Sequence, residues 1–221
     1  MKGFLNFASV TKKITLAIVG GFLMVFLLVH AGINLCMLRN DGGEWFRAAA
    51  HFMGTNYIVK VFEVILFAAL LLHIILAVIL QIGNWMARPV GYKVRGKART
   101  APGSRFMIYT GILVCIFLVI HLMNFYFVKL GWVKGALLPD GEPDFYTIAQ
   151  GLFNNTAYLV LYLVLILALG FHLTHAFPSA LHTLGLNGEK ADKPIKIIGL
   201  LYAIVIVLMF YATAIGMAIL F

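Results

Sequence analysis

The sequence predicts an all-α membrane protein, and three observations lead to this prediction. Of its 221 residues, 62% are hydrophobic and 11% are charged, whereas a soluble domain has roughly 25% charged residues. Five apolar stretches are each long enough to cross a bilayer as a helix, which takes about 20 residues. Their apolar residues are continuous and do not alternate, which favours helices over barrel strands. The predicted helices cover about 14–38, 57–84, 105–128, 155–178 and 195–220.

The residues outside these helices are too few for a soluble domain, so residues 1–221 are expected to form a single transmembrane domain. The first apolar run is too long for the h-region of a cleavable signal peptide, and it lacks an evident cleavage site. Nothing resembles a folded nucleic-acid-binding module, so nucleic acid is not an expected partner.

The charged residues predict the orientation in the membrane. With the N-terminus in the cytoplasm, the inner segments carry twelve lysines and arginines against two carboxylates. The outer loops carry four basic residues against five acidic ones. Basic residues accumulate on the cytoplasmic side, so the expected topology is N-in and C-out. The basic inner face would suit anionic lipid or an acidic soluble partner.

Each of the first four predicted helices carries a histidine in its apolar sequence: His30, His73, His121 and His172. An ionisable ring within a membrane helix is costly and usually functional. The surroundings of His30 and His121 are alike, because each follows a glycine by ten residues and precedes an asparagine within four. One histidine per helix indicates a ligand set.

The positions of these histidines along their helices predict two levels in the membrane. His30 and His121 lie 17 residues from the inner ends of outward-running helices, taken at Lys13 and Ser104. His73 and His172 also lie 17 residues along, but on inward-running helices that begin after Asn56 and Asn155. The histidines therefore form an outer pair, His30 with His121, and an inner pair, His73 with His172. The two levels are expected on the order of 12 Å apart.

Two facing imidazoles on separate helices are the axial ligands of a bis-histidine haem, and helix-bundle cores commonly hold such cofactors. The prediction is two non-covalent haems b in a four-helix core, with a peripheral fifth helix. Covalent attachment is excluded because no C-x-x-C-H motif occurs. A hydrogen-bonded structural histidine and a proton relay are alternatives for any one of the four. His175, one turn beyond His172, competes with it for the inner iron.

With these residues assembled, the chain resembles the membrane anchor of succinate:quinone oxidoreductases. The resemblance is to the single-chain, five-helix, dihaem type, which also serves some fumarate reductases. It covers nearly the whole chain, and it is carried by the order and spacing of four segments. These are FLLVHAGIN at His30, LLLHIILAVILQIGNWMARPVGY at His73, IFLVIHLMNF at His121 and GFHLTHAFPSAL at His172.

The resemblance implies that His30 and His121 hold the outer haem iron, and that His73 and His172 hold the inner one. It implies a flavoprotein and an iron–sulfur subunit on the cytoplasmic face, where the dicarboxylate chemistry resides. Electrons would pass between these subunits and membrane quinone, generally menaquinone in relatives of this type. The expected location is the inner membrane of a bacterium, with lipid around a multi-pass chain.

Quinol oxidation releases protons, and Glu63 is the only carboxylate within a predicted span. It is a candidate proton acceptor and therefore the candidate catalytic residue. An ion pair with Lys60, three residues earlier on the same helix face, is the alternative for Glu63. Glu44 and His51 in the outer loop are alternative acceptors.

Two other functions stay open at this point. A dihaem cytochrome could instead serve a membrane hydrogenase or formate dehydrogenase, whose catalytic subunits commonly lie on the opposite side. A haem-free proton-coupled transporter would need acidic residues and broken helices at the midplane. The basic inner face favours cytoplasmic docking, and Glu63 is not central in its helix.

Overall fold

The computed structural model describes residues 9–86, 102–186 and 188–220, which form helices and no β-strand. Five helices are long and apolar enough to cross a membrane, which confirms the all-α, five-span prediction. In chain order the helices are α1 (Ser9–Leu35), α2 (Glu44–Thr55), α3 (Tyr57–Met86), α4 (Pro102–His121), α5 (Phe145–Phe153), α6 (Thr156–Thr183) and α7 (Glu189–Ile219).

Two of the spans continue beyond their regular helices. A 3-10 turn at Cys36–Leu38 follows α1, and a π-helical turn at Leu122–Tyr126 follows α4. One α-helical turn, Phe127–Lys129, completes the third span. We call the end of the bundle where α1 and α7 begin the inner end, and the opposite end the outer end. The basic inner loop predicted between α3 and α4 lies mostly at 87–101, outside the described residues.

The fourth span is longer than the sequence predicted, because α6 continues past Pro178 to Thr183. A proline inside a helix removes one backbone hydrogen bond and crowds the preceding turn. Gly199 of α7 lies against this site, since a Cβ there would be 3.1 Å from Cδ of Pro178. The glycine leaves room for the proline ring, so α6 stays packed on α7 without ending.

Two short helices cover the outer end of the bundle. Neither of them is among the five helices that the sequence predicted. Asp144 precedes α5 and accepts a hydrogen bond from the backbone N–H of Thr147, which caps the helix N-terminus. Gly43, in the left-handed region at φ +87°, precedes α2 and lies directly against the ring of Tyr146. The N-terminal end of α2 is therefore packed on the first turn of α5.

The fifth span is not peripheral in the packing. α7 makes its most extensive contact with α6, and it also packs on α1 and α5. Its Ile206 and Met217 are fully buried. The edge of the bundle is formed instead by α3, which packs along α1 and touches α2. None of the residues of α3 is buried.

Candidate functional site

The outer histidine pair lies where α1 approaches the end of α4. The ring centroids of His30 and His121 are 5.7 Å apart, with the ring planes 84° from each other. Phe26 stacks on His30 from the preceding turn at 5.3 Å, and Phe117 and Phe125 lie 5.8 and 5.0 Å from the His121 ring. The pair therefore lies among aromatic rings contributed by its own helices.

The inner histidine pair is placed by two glycines. A Cβ on Gly20 of α1 would lie 3.6 Å from Cε1 of His73, and a Cβ on Gly111 of α4 would lie 3.8 Å from Cε1 of His172. His172 is also close enough to His73 for their charges to interact. The outer partners are therefore in ring contact, whereas the inner partners lie within the range of electrostatic interaction.

The positions of Gly20 and Gly111 give the separation between the inner and outer histidine levels. Each glycine precedes the outer histidine of its own helix by ten residues. At 1.5 Å per residue, the inner level is about 15 Å from the outer one along these helices. The sequence estimate of about 12 Å came from helix lengths alone. The glycine spacing noted in the sequence was the direct signal, since small residues mark where a neighbouring side chain comes close to the backbone.

The ring nitrogens are consistent with ligands. Nδ1 of His73 and Nδ1 of His121 are buried and have no hydrogen-bond partner among the described residues. A buried polar atom without a partner costs about 1–3 kcal/mol, so such atoms commonly have a function. Nδ1 of His172 lies 3.3 Å from Oγ1 of Thr110, which leaves its Nε2 available to a metal.

Each pair offers two imidazoles, which is the number of axial ligands that a haem iron takes from a chain. Among the described residues, no three His, Cys, Asp or Glu side chains converge on one point. Zinc sites take three or four protein ligands, whereas a haem iron needs only two axial ligands from the chain. Imidazole nitrogens bind metals at about 2 Å, so rings on opposite sides of one ion have centroids roughly 6 Å apart. The ring centroids of His30 and His121, 5.7 Å apart, are close to that separation.

The two helices that carry the inner pair differ in their packing. α3 lacks the extensive packing on α4 and α6 that those two helices have with each other. Its described contacts with the third span are near the outer end, where Phe67 meets Tyr126 with ring centroids 4.5 Å apart. His73 on α3 and His172 on α6 therefore belong to helices that have little direct contact with each other in the described part of the chain. The residues present fit a planar group held between two imidazoles.

The π-helical turn that begins directly after His121 was not predicted. Such turns are rare and occur frequently at functional sites. Within it, the side-chain amide of Asn124 donates a hydrogen bond to the hydroxyl of Tyr162 on α6, at 2.9 Å. Tyr162 is 2% exposed, and its ring centroid lies 6.4 Å from that of His121. The sequence signal was the asparagine shortly after the histidine.

Glu63 forms an ion pair, but its partner is Lys129 and not Lys60. Both carboxylate oxygens accept hydrogen bonds from Nζ of Lys129, at 2.8 and 2.7 Å. The ammonium also lies 5.7 Å from the ring centroid of Tyr126. The alternative of an intrahelical pair with Lys60 was therefore wrong, because α3 and the third span approach each other near the outer end.

The remaining candidate residues are distributed over both ends of the bundle. Glu44 and His51 are exposed on α2. His175 is partly buried one turn beyond His172 and close enough to interact with its charge. Nε2 of His182 lies 3.4 Å from a carboxylate oxygen of Asp192 at the inner end.

The two short helices at the outer end, α2 and α5, are joined by a partly buried ion pair. Nε and Nη2 of Arg47 on α2 donate to the two carboxylate oxygens of Asp144, at 3.0 and 2.9 Å. Burial alone would raise the pKa of Asp144, but hydrogen bonds from Arg47 and Thr147 outweigh it and hold the pKa below its usual value. The same pairing raises the pKa of Arg47. Sequence reasoning missed this pair, because 97 residues separate its members.

Comparisons of the chain with protein-family models, with curated proteins and with solved structures found no match.

Proposed function

We propose that this chain is a dihaem cytochrome b that anchors a succinate dehydrogenase or fumarate reductase in the membrane. It would pass electrons between membrane quinone and cytoplasmic iron–sulfur and flavoprotein subunits. The observation that carries the proposal is the arrangement of four histidines from four spans in two pairs. His30 and His121 are in ring contact, and His73 and His172 pack on Gly20 and Gly111, which lie ten residues before His30 and His121.

Each pair would hold one haem: His30 with His121 at the outer level, and His73 with His172 at the inner level. Bound there, haem would supply one-electron oxidation and reduction at an iron with no open position. The chain supplies orientation, because the Thr110 hydroxyl at Nδ1 of His172 fixes which ring nitrogen is free. The phenylalanines around the outer pair keep water away from it.

Docking of soluble subunits at the inner end is supported by the charge of that face. The described residues there include Lys13, Lys190 and Lys193, all of them exposed. A positive face steers an acidic partner and fixes its orientation. The proposal also places the inner end in the cytoplasm, with N-in and C-out topology. A reporter enzyme fused after residue 221 should then read as periplasmic, and a cytoplasmic reading would reverse the two haem levels.

Quinone chemistry is proposed at the outer end, with menaquinone as substrate and Glu63 as the proton acceptor. Glu63 lies ten residues before His73, so it is about 15 Å outward from the inner level. Both of its carboxylate oxygens accept hydrogen bonds from Nζ of Lys129. Transfer of the proton would require the carboxylate to exchange Lys129 for the quinol hydroxyl.

The direct test is a haem count on the purified chain. A pyridine haemochrome assay should give two haems per chain, and acid–acetone should extract both, because nothing attaches them covalently. A count near zero would refute the cytochrome proposal. A count of two in a chain that does not assemble with succinate-oxidising subunits would leave the cytochrome and refute the partner.

Variants of the ligands test the pairing itself. His30→Ala and His121→Ala should remove the same spectral component, and His73→Ala and His172→Ala should remove the other. Removing one axial ligand leaves that haem high-spin or lost, while the residues packed around the other level are untouched. His175→Ala is the matched control and should retain both components. If it loses the inner one while His172→Ala keeps it, the ligand is one turn further along α6.

A further inference from the structure

An apolar groove of about 200 Å³ lies between α1, α6 and α7, and none of the four paired histidines lines it. Its walls include Ala17, Gly21, Val25 and Leu28 of α1, Leu181 of α6 and Tyr202 of α7. Ala17 to Leu28 is eleven residues, so the groove extends about 16 Å along a membrane-spanning helix. A cavity of this length, parallel to the helices, fits an extended hydrocarbon chain.

The walls of the groove are held in place by side-chain contacts. Tyr202 stacks on Phe177 of α6, with ring centroids 5.6 Å apart and planes 30° from each other. Its hydroxyl donates to the backbone carbonyl of Met24 at 2.6 Å. This hydroxyl, the one polar side-chain group among the lining residues, is therefore already engaged. A quinone head group would find no free donor here, and the groove is accordingly suited to a chain without polar atoms.

A positive charge lies at the inner mouth of the groove. Lys13 precedes Ala17 by four residues, which puts it on the same face of α1 one turn further inward. Its side chain is exposed and forms no ion pair with the described residues. At the same end of the bundle, the carboxylate of Asp192 pairs with Lys196 at 2.6 Å and lies 3.4 Å from His182.

We propose that this groove is a binding site for an anionic phospholipid. One acyl chain lies between α1, α6 and α7, and the phosphate meets the Lys13 ammonium where α1 leaves the bilayer. The charge at the mouth and the apolar length behind it match the two parts of such a lipid. The inference does not depend on haem or on any partner subunit.

The test is native mass spectrometry of the full chain, with dioleoyl phosphatidylglycerol or dioleoyl phosphatidylcholine added in mild detergent. Gly21 lines the groove, and a Cβ there would meet nothing within 4 Å, so the side chain of Gly21→Leu has room to enter the groove. Displacing the equivalent of about two methylenes of the acyl chain lowers its affinity roughly tenfold. Gly32→Leu on the same helix, equally open but outside the groove, should leave lipid binding unchanged.

The head-group contact is tested by Lys13→Gln. Losing one lysine near an anionic lipid should reduce phosphatidylglycerol binding about fivefold and leave phosphatidylcholine binding as it was. Lys193→Gln is the control, because Lys193 is an exposed inner-end lysine nine residues before Tyr202, on the opposite side of α7. Equal binding of the two lipids by the unmodified chain would refute the role of Lys13.

A measurement on the unmodified chain covers the case in which Gly21→Leu does not fold. Phosphatidylglycerol with a photoreactive acyl chain should label peptides that contain 17–28 of α1 and 177–184 of α6. Labelling spread evenly over the exposed face of α3 would overturn the proposal. Quinone that co-purifies with the chain and is lost in Gly21→Leu, while phosphatidylglycerol binding stays constant, would assign the groove to the isoprenoid tail instead.

Discussion

Replacing Asp144 by asparagine should destabilise the contact between α2 and α5, and the size of the effect can be worked out from the contacts of Asp144. The Asp144 side chain is 9% exposed, and the Arg47 side chain that pairs with it is 31% exposed. Breaking a fully buried pair costs about 3–5 kcal/mol, and surface pairs are worth about 0–1 kcal/mol. Asparagine keeps the shape and one acceptor oxygen, so a loss of about 2 kcal/mol is expected, between these limits.

The assay is thermal unfolding of the purified chain in detergent. For a chain of this size, 1 kcal/mol shifts the midpoint by about 2–4 °C, so Asp144→Asn should lower it by about 4–8 °C. Asp140→Asn is the control, because Asp140 is in the same loop and accepts only the backbone N–H of Glu142, at 3.1 Å. A shift no larger than that of the control would refute the reasoning.

The same ion pair sets a dependence on pH. The pKa of Asp144 is lower in the folded chain than in the unfolded chain, where an aspartate has a pKa near 3.9. The stabilisation is therefore complete above about pH 4 and is lost only as the pH falls through the lower folded value. Between about pH 5 and pH 8, the midpoint difference between the native chain and Asp144→Asn should stay constant. A difference that shrinks within this range would contradict the assigned pKa direction.

Three further predictions concern the histidine pairs and Glu63. Gly20→Leu and Gly111→Leu should each perturb the inner spectral component, since atoms beyond Cβ would overlap the facing imidazole; alanine should be tolerated at both sites. Asn124→Ala should shift the reduction potential of the outer component only. Glu63→Gln should keep both haems and abolish quinol oxidation, and retained activity would reduce Glu63 to the ion-pair partner of Lys129.

The five spans could be predicted because hydropathy and length decide them without reference to tertiary contacts. The pairing of His30 with His121 could also be predicted, because a histidine at a known count from a helix end has a known depth. The bounds of α6 could not, because the cost of Pro178 inside the helix depends on Gly199 of another helix. Sequence patterns therefore predict the spans well, because the thickness of a bilayer sets the length of an apolar helix.

Contacts between residues that are far apart in the sequence could not be predicted. Lys60 is three residues from Glu63 and was the obvious partner, but the carboxylate is paired with a lysine 66 residues away. Similarly, the fifth span was expected to be peripheral because it has no ionisable group after its first turns. In the structure, the hydroxyls of Tyr202 and Tyr211 on this span donate to backbone carbonyls of α1 and α6. The fifth span is therefore hydrogen-bonded to the helices that carry His30 and His172.

The chain is built from two similar halves, and this explains why the pairs form between particular helices. Gly20 and His30 on α1 correspond to Gly111 and His121 on α4, each 91 residues later. The second histidine of each half, His73 on α3 or His172 on α6, packs on the glycine of its own half. Two such hairpins placed side by side bring α1 and α4 together at the outer level, and α3 and α6 at the inner level. The outer pair, His30 with His121, thus depends on contact between the two halves. The inner pair, His73 with His172, depends also on the contact of each histidine with the glycine of its own half.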